Sequence, residues 1–261
     1  MSEDLSTYLD FAIETAYLAG RLTLGYFQTG IPADTKTDGS PVTQADRKAE
    51  ELMRSRIERA YPRHAIVGEE FGMQTADGAS HRWLIDPIDG TKSFVQGVPL
   101  YSVLLGLEIE GRVEVGVIYL PGLNEMVVAA TGHGCWWNGR RARVSQVAQV
   151  EQAVAAFTEV RNFAKHGREA AFQRMVKRAR LCMGWNDAYG YVLAATGRVE
   201  VMFDPIMAVW DCGPMPAIFR EAGGYFGDWQ GEETISGGEG LATSLVLLPA
   251  VLELLAGEES A

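Results

Sequence analysis

Between residues 65 and 130 the chain reads AIVGEE, WLID, YSVLLGLEIE, RVEVGVIYL and EMVVAA in succession, with Gly111 and Pro121-Gly122 as intervening turns. Branched and aromatic residues in short runs bounded by turn formers are strand chemistry. The runs are apolar on both faces. A sheet built from them must be covered on both sides, and the chain of hairpins makes it antiparallel. The rest of the chain therefore has to supply covering layers.

Helices are visible on both flanks. Leu9, Ile13, Ala16, Gly20, Leu24 and Phe27 recur at helical spacing and stop before Pro32. After the polar loop ADTKTDGSP, Thr43 and Asp46 supply the hydroxyl cap and first-turn acid of a second helix, with Ala45, Ala49, Leu52, Met53, Ile57 and Ala60 as its buried stripe. Asp46 is expected at that helix N-terminus, facing outward from the loop. The stretch TGHGCWWNGRRARVSQ reads as a turn-rich exit toward a boundary near residue 148. Beyond it the pattern alternates. AVAAFT, ARLCM, VEVMFD, YFGDW and SLVLLP read as strands; REAAFQRMVKRA, DAYGYVLAATG, a run from Asp211 to Gly223-Gly224, and VLELLA read as helices. The expected fold class is α/β, an α+β arrangement of alternating layers in two halves, 1–148 and 149–261.

Charge narrows the function. The 261 residues carry 34 acids against 23 bases, a formal net charge of -11 without a long run of either sign, so no nucleic-acid or membrane partner is expected. A cation-binding role fits that balance. Cys135, Cys182 and Cys212 lie far apart among apolar, aromatic or glycine neighbours, which reads as buried free thiols in a reducing cytoplasm. No signal peptide or membrane span is expected from the sequence. His64, His81, His133 and His166 lack paired spacing and read as surface or loop residues.

Three separated places put acids at element ends: Glu69-Glu70 after AIVG, Asp86 and Asp89 after WLI, and Asp211 after VW. If these ends converge, the carboxylates repel one another and call for cations. Carboxylates, a backbone carbonyl and water suit Mg²⁺ or Mn²⁺ rather than zinc. Gly90 and Thr91 follow at once and open a short helix over TKSFVQ, whose amides suit a phosphate. Each piece alone has a plainer reading: a turn for DPIDG, a solvated pair for Glu69-Glu70, a helix cap for Asp211.

Together the segments resemble the inositol monophosphatase superfamily. The matching stretches are GEE at 68–70, WLIDPIDGTKSF at 83–94, GxGxxxNG at 132–139 and WDCGPMPAIFREAGG at 210–224, supported by DGSPVTQAD and YVLAATGRVEVMFDP. The resemblance implies the layered inositol monophosphatase and fructose-bisphosphatase-like fold, two to three Mg²⁺ ions with Mn²⁺ as a substitute, a homodimer and lithium sensitivity. It makes the first half the metal- and phosphate-binding half, which the second completes. It assigns metal binding to Glu69, Asp86, Asp89, Asp211 and the Ile88 carbonyl, phosphate binding to Gly90 and Thr91, and catalysis to Asp46, Thr91 and Glu69. Glu70 is implied as a supporting residue. The wording looks most like the histidinol-phosphate phosphatase branch. Inositol-1-monophosphatase or a broad sugar and nucleotide phosphatase is the alternative, and a regulatory binding protein on the same fold is a third reading.

The alcohol of histidinol phosphate carries an ammonium and an imidazole, so its site needs acceptors. Asp204, Asp187, Asn186 and Trp185 are the candidate substrate-binding residues. Asp187 has an alternative as the cap of the following helix, and Trp185 as core. Arg140, Arg141 and Arg143 read as a solvated turn, Trp136-Trp137 as packing, and Lys92 as either phosphate attraction or surface.

Overall fold

The computed structural model describes residues 4–36, 41–76, 78–184 and 187–257. The first half contains α1 (Leu5–Leu24), β1 (Ala33–Thr35), β2 (Pro41–Thr43), α2 (Gln44–Ala60), β3 (Ala65–Gly68), β4 (Gly72–Gln74), β5 (His81–Asp89) and α3 (Thr91–Val95). Then follow β6 (Ser102–Ile109), β7 (Arg112–Leu120), β8 (Glu125–Ala130), β9 (Gly134–Trp137) and β10 (Arg140–Arg141). The remainder runs β11 (Val154–Phe157), α4 (Val160–Lys165), α5 (Glu169–Arg178), β12 (Leu181–Gly184), α6 (Asp187–Ala195), β13 (Val201–Asp204), α7 (Val209–Cys212), α8 (Met215–Ala222), β14 (Gly224–Gly227), β15 (Gly240–Ser244) and α9 (Leu248–Ala256).

Strands β3 to β10 form one sheet in the order β10-β9-β8-β7-β6-β5-β3-β4. Side-chain alternation along β6 shows why it needs two covers. Val103, Leu105 and Leu107 pack with Ala12, Ala16 and Ala19 of α1 and with Met53 and Ile57 of α2. Leu104 points the other way, into a cluster with Ile118, Val192 of α6, Met202 of β13 and Ile218 of α8. That cluster draws on both sides of residue 148, so the two halves share a core. The second sheet has the order β12-β11-β13-β15-β14. Its outer face, with Ala155, Val201 and Phe203, is covered by Phe163 of α4, Phe172 and Met175 of α5, and Val251 and Leu255 of α9. The layers are thus helix, sheet, helix, sheet, helix.

Several expectations need correction. The large sheet is not wholly antiparallel: β3 and β5 run parallel. The short edge strand β4 folds back on β3 from the far side, and the return brings β5 in beside β3 in the same direction. The turn-rich exit supplies two more strands, with Cys135 and Trp136 paired to Ala129 and Val128. Helix α4 was not expected. The strand over SLVLLP lies earlier, at Gly240–Ser244, because exposed Leu245 and Val246 form the turn into α9 instead.

The helix expected from Asp211 to Gly223 is two helices broken at Gly213-Pro214. The break is seated on a cross-strand glycine pair, Gly106 of β6 and Gly116 of β7. A Cβ on Gly106 would lie 2.2 Å from the Gly213 carbonyl oxygen, and one on Gly116 would lie 2.2 Å from that of Pro214. Only bare backbone admits so close an approach. His64 and His81 are not free surface groups either: their rings stack at 4.4 Å, and His81 is buried. Cys135 and Cys212 are buried thiols, whereas Cys182 is only half-buried.

Candidate active site

In a regular strand, residues three apart point to opposite faces, so Asp86 and Asp89 should diverge. They do not, because β5 is bulged between them. Asp86 faces Leu104 of β6 and Asp89 faces Ser102, so Pro87 and Ile88 together oppose the single residue Val103. The extra residue turns both carboxylates to the middle-layer face. Proline suits the bulge because it has no N–H to give to the ladder. The Ile88 N–H, freed there, donates to Asp86 Oδ1 at 3.0 Å.

Asp211 reaches the same place from α7, where its carboxylate accepts the Ala208 N–H at 2.8 Å. One ligand oxygen from each of Asp86, Asp89 and Asp211 lies within 4.8 Å of the others. Their donors are neutral: the Ala188 N–H at 2.7 Å and the Ser102 hydroxyl at 2.9 Å hold Asp89. Burial, reinforced by the neighbouring carboxylates, pushes Asp89 up to about 7 and Asp211 up to about 8. Asp86 is raised too, by burial and then by Glu69, Asp89 and Asp211. Asp86 is buried and Asp89 and Asp211 are half-buried beside it, and carboxylates held by neutral donors form an incomplete set of charges. As hard oxygen ligands they fit a divalent cation of the Mg²⁺ or Mn²⁺ kind.

Glu69 follows β3, whose parallel register pairs Gly68 with Ile85 and so sets Glu69 beside Asp86. It stands outside the triad. Lys36, which was not anticipated, holds Glu69 at 2.7 Å and Glu70 at 2.6 Å. Burial raises Glu70 to about 7 despite that lysine.

Gly90 adopts a left-handed φ of 82° at the start of α3. A Cβ there would lie 2.8 Å from Asp187 Oδ2 and 3.2 Å from the Leu100 carbonyl oxygen. Thr91 Oγ1 sits 3.0 Å from the Ile88 carbonyl oxygen and 3.3 Å from Asp46 Oδ1. Asp46 does not face outward from a loop: it is wholly buried. Its other oxygen accepts the Thr43 N–H at 2.7 Å and the Thr43 hydroxyl at 2.6 Å, the reciprocal capping pair that starts α2. With one oxygen committed to the cap, the other is aimed inward at Thr91. Burial is the main reason its carboxyl is raised.

A cleft of about 410 Å³ opens beside these groups, with Gly90, Thr91 and Lys92 on one side and Thr158, Glu159, Asn162 and Asp187 among its other walls. Asp187 opens α6 at a left-handed φ of 53°. Burial, then Asp89, Asp204 and Asp211, hold its carboxyl well above the usual range. The Ala188 N–H of α6 is taken by Asp89, so a strand of the other sheet caps this helix end. Asp204 lies behind the cleft. It accepts the Thr158 N–H at 2.9 Å, the Thr158 hydroxyl at 3.0 Å and the Tyr191 hydroxyl at 3.3 Å, so its oxygens are already engaged. Trp185 and Asn186 lie outside the described residues. Lys36, Thr158, Glu159 and Asn162 were missed, although the polar pair Thr158-Glu159 ending an apolar strand is the same signal that marked Glu69.

The inositol monophosphatase family model matches residues 4–258 of the chain. Among similar proteins, the histidinol-phosphatase of Chlorobaculum parvum is 42% identical over 90% of this chain and 91% of its own. The histidinol-phosphatase of Mycobacterium tuberculosis is 35% identical over 85% of this chain and 87% of its own. In structure, the extragenic suppressor protein suhB of Bartonella henselae superposes with a TM-score of 0.89 at 25% identity, covering 97% of this chain and 100% of that one. A match over nearly the whole chain, on a fold whose bulged strand gathers the acids of the motif, leads to one conclusion: the chain belongs to the inositol monophosphatase family.

Proposed function

We propose that the chain is an Mg²⁺-dependent phosphomonoesterase that releases phosphate from L-histidinol phosphate. The observation that carries this is the bulge in β5, which turns Asp86 and Asp89 to one side beside Asp211 and immediately before Gly90 and Thr91. Similarity to two histidinol-phosphatases supports the choice of ester.

Asp86, Asp89, Asp211, Glu69 and the Ile88 carbonyl would hold the metal, taken as two to three ions that neutralise phosphoryl charge and lower the pKa of a coordinated water. The chain's own groups do the rest. The Gly90 and Thr91 amides hold phosphoryl oxygens, and Gly90 brings no Cβ between them. Thr91 Oγ1 accepts a hydrogen bond from the attacking water while its own proton is directed to Asp46 Oδ1, 3.3 Å away. In-line attack then yields phosphate and the alcohol, without a covalent intermediate. Asp187 reaches the alcohol side from the cleft wall. Asp204, with its oxygens on Thr158 and Tyr191, acts by fixing that wall.

The homodimer, lithium sensitivity and cytoplasmic setting belong to the same reading; unbridged cysteines support the last. Among the described residues no helix is long and apolar enough to cross a membrane. Phosphate release from L-histidinol phosphate, inositol 1-phosphate, fructose 1,6-bisphosphate and adenosine 3′,5′-bisphosphate tests the choice of substrate. The highest kcat/KM is expected with histidinol phosphate. A clear preference for inositol 1-phosphate moves the assignment to the alternative, and no turnover of any ester supports a regulatory binding protein instead.

A further inference from the structure

The cleft that begins at Gly90 and Thr91 is also walled by Glu159 and Asn162. An ester whose phosphoryl group rests on the two amides therefore presents its alcohol portion to that wall. Glu159 carries two cations there. Its Oε2 accepts from Lys92 Nζ at 2.8 Å, and its Oε1 accepts from Arg161 Nε at 2.5 Å.

The three side chains are not equally held. The Glu159 side chain is 23% exposed, whereas those of Lys92 and Arg161 are 68% and 86% exposed. Its carboxylate makes no cap bond to α4, the helix that it precedes. The main chain beneath it is fixed, because Asp204 takes both the N–H and the hydroxyl of Thr158. The acceptor is thus preorganised while its present partners are long, solvated chains, and such ion pairs contribute little and exchange readily. Lys92 is also the residue next to Thr91, so its ammonium occupies space within reach of a bound ester.

We propose that Glu159 is the specificity-determining residue for a cationic alcohol, and that Lys92 occupies the place where the substrate's ammonium binds. The proposal rests on the phosphomonoesterase reading and deepens it: the preferred class is a phosphate monoester whose alcohol bears a positively charged nitrogen a few bonds from the ester oxygen. On binding, that nitrogen replaces Lys92 at Glu159, and Lys92 turns toward the phosphoryl group beside Thr91. A neutral ester leaves the Lys92–Glu159 pair in place and gains nothing from Glu159.

Glu159→Gln keeps the shape and removes the charge, and its melting temperature reports the fold. With L-histidinol phosphate, KM is expected to rise about tenfold or more at nearly unchanged kcat, while glycerol 2-phosphate keeps both constants. Isothermal titration with L-histidinol, which needs no turnover, is expected to weaken about tenfold as well. Equal effects on the two esters, or no effect on either ester or on histidinol, would overturn the role of Glu159. If the wild type hydrolyses other esters but not histidinol phosphate, the substrate assignment fails separately. Phosphoethanolamine then replaces it as the cationic ester. A preference over glycerol 2-phosphate that Glu159→Gln abolishes upholds the inference, and the lack of such a preference overturns it.

Discussion

Asp89 of β5 accepts the backbone N–H of Ala188 at 2.7 Å, across 99 residues of chain. One carboxylate therefore serves the triad and also caps the helix that lines the middle layer. The site is assembled by the packing of the two halves.

Asp89→Asn keeps an oxygen for Ala188 and Ser102 but removes the charge. Activity is expected to fall by about a hundredfold or more, in the range seen when a group acting on transition-state charge is lost. The metal-free protein should melt no lower than wild type, because a buried charge has been removed. Thermal melts with and without Mg²⁺ check this: the stabilisation by metal should shrink sharply. A wild-type Mg²⁺ shift in the variant would contradict the assignment of Asp89.

The pH dependence of the metal-free protein has a definite sign. Asp89 rises from 3.8 to about 7 and Asp211 from 3.8 to about 8 in the fold. A raised folded pKa gives stability that is full below the unfolded value and is lost as pH rises through the folded value. The metal-free melting temperature is therefore expected to fall between about pH 4 and 8 and to level off above that, while the shift produced by Mg²⁺ grows. Calorimetry across that range, in EDTA and in Mg²⁺, measures both. A metal-free melting temperature that climbs through the window would refute the picture of uncompensated buried acids.

Thr91→Val removes the hydroxyl and keeps the branched shape. The loss should appear in kcat, by about 10²–10⁴-fold, with KM little changed, because the group handles a proton and not the resting substrate. Steady-state kinetics separates the two. A raised KM at normal kcat would assign Thr91 to binding alone.

Gly106→Ala puts a methyl where the Gly213 carbonyl oxygen lies 2.2 Å away. Overpacking of this kind costs about 1–3 kcal/mol, readable in urea unfolding. Since the displaced turn follows α7, which carries Asp211, Mg²⁺ affinity should fall as well. Unchanged stability and unchanged Mg²⁺ binding would show that the glycine pair does not seat the turn.

What was legible in the sequence was local. The apolar runs give the strands their approximate places, and the spacing of DPIDGT with its neighbours marks the acids and amides. The bulge that makes Asp86 and Asp89 converge was not legible, because it depends on β6 opposing two residues with one. Asp46 was placed at a helix N-terminus correctly and its exposure wrongly; a cap bond fixes one oxygen, but only the tertiary fold brings Thr91 to the other. The break at Gly213-Pro214 is signalled locally, since a Gly-Pro dipeptide interrupts a helix, but its seat on Gly106 and Gly116 is a tertiary fact that the local pattern does not carry. Glu159 does carry a local signal, a polar pair ending an apolar strand, but only the fold brings it to Lys92.

The most direct test is phosphate release from L-histidinol phosphate as Mg²⁺ is titrated into protein stripped of metal with EDTA. No turnover is expected without metal, with saturable recovery as Mg²⁺ is added and no recovery in Asp86→Asn over the same range. Full turnover in EDTA, or equal recovery in Asp86→Asn, would contradict the metal-dependent mechanism.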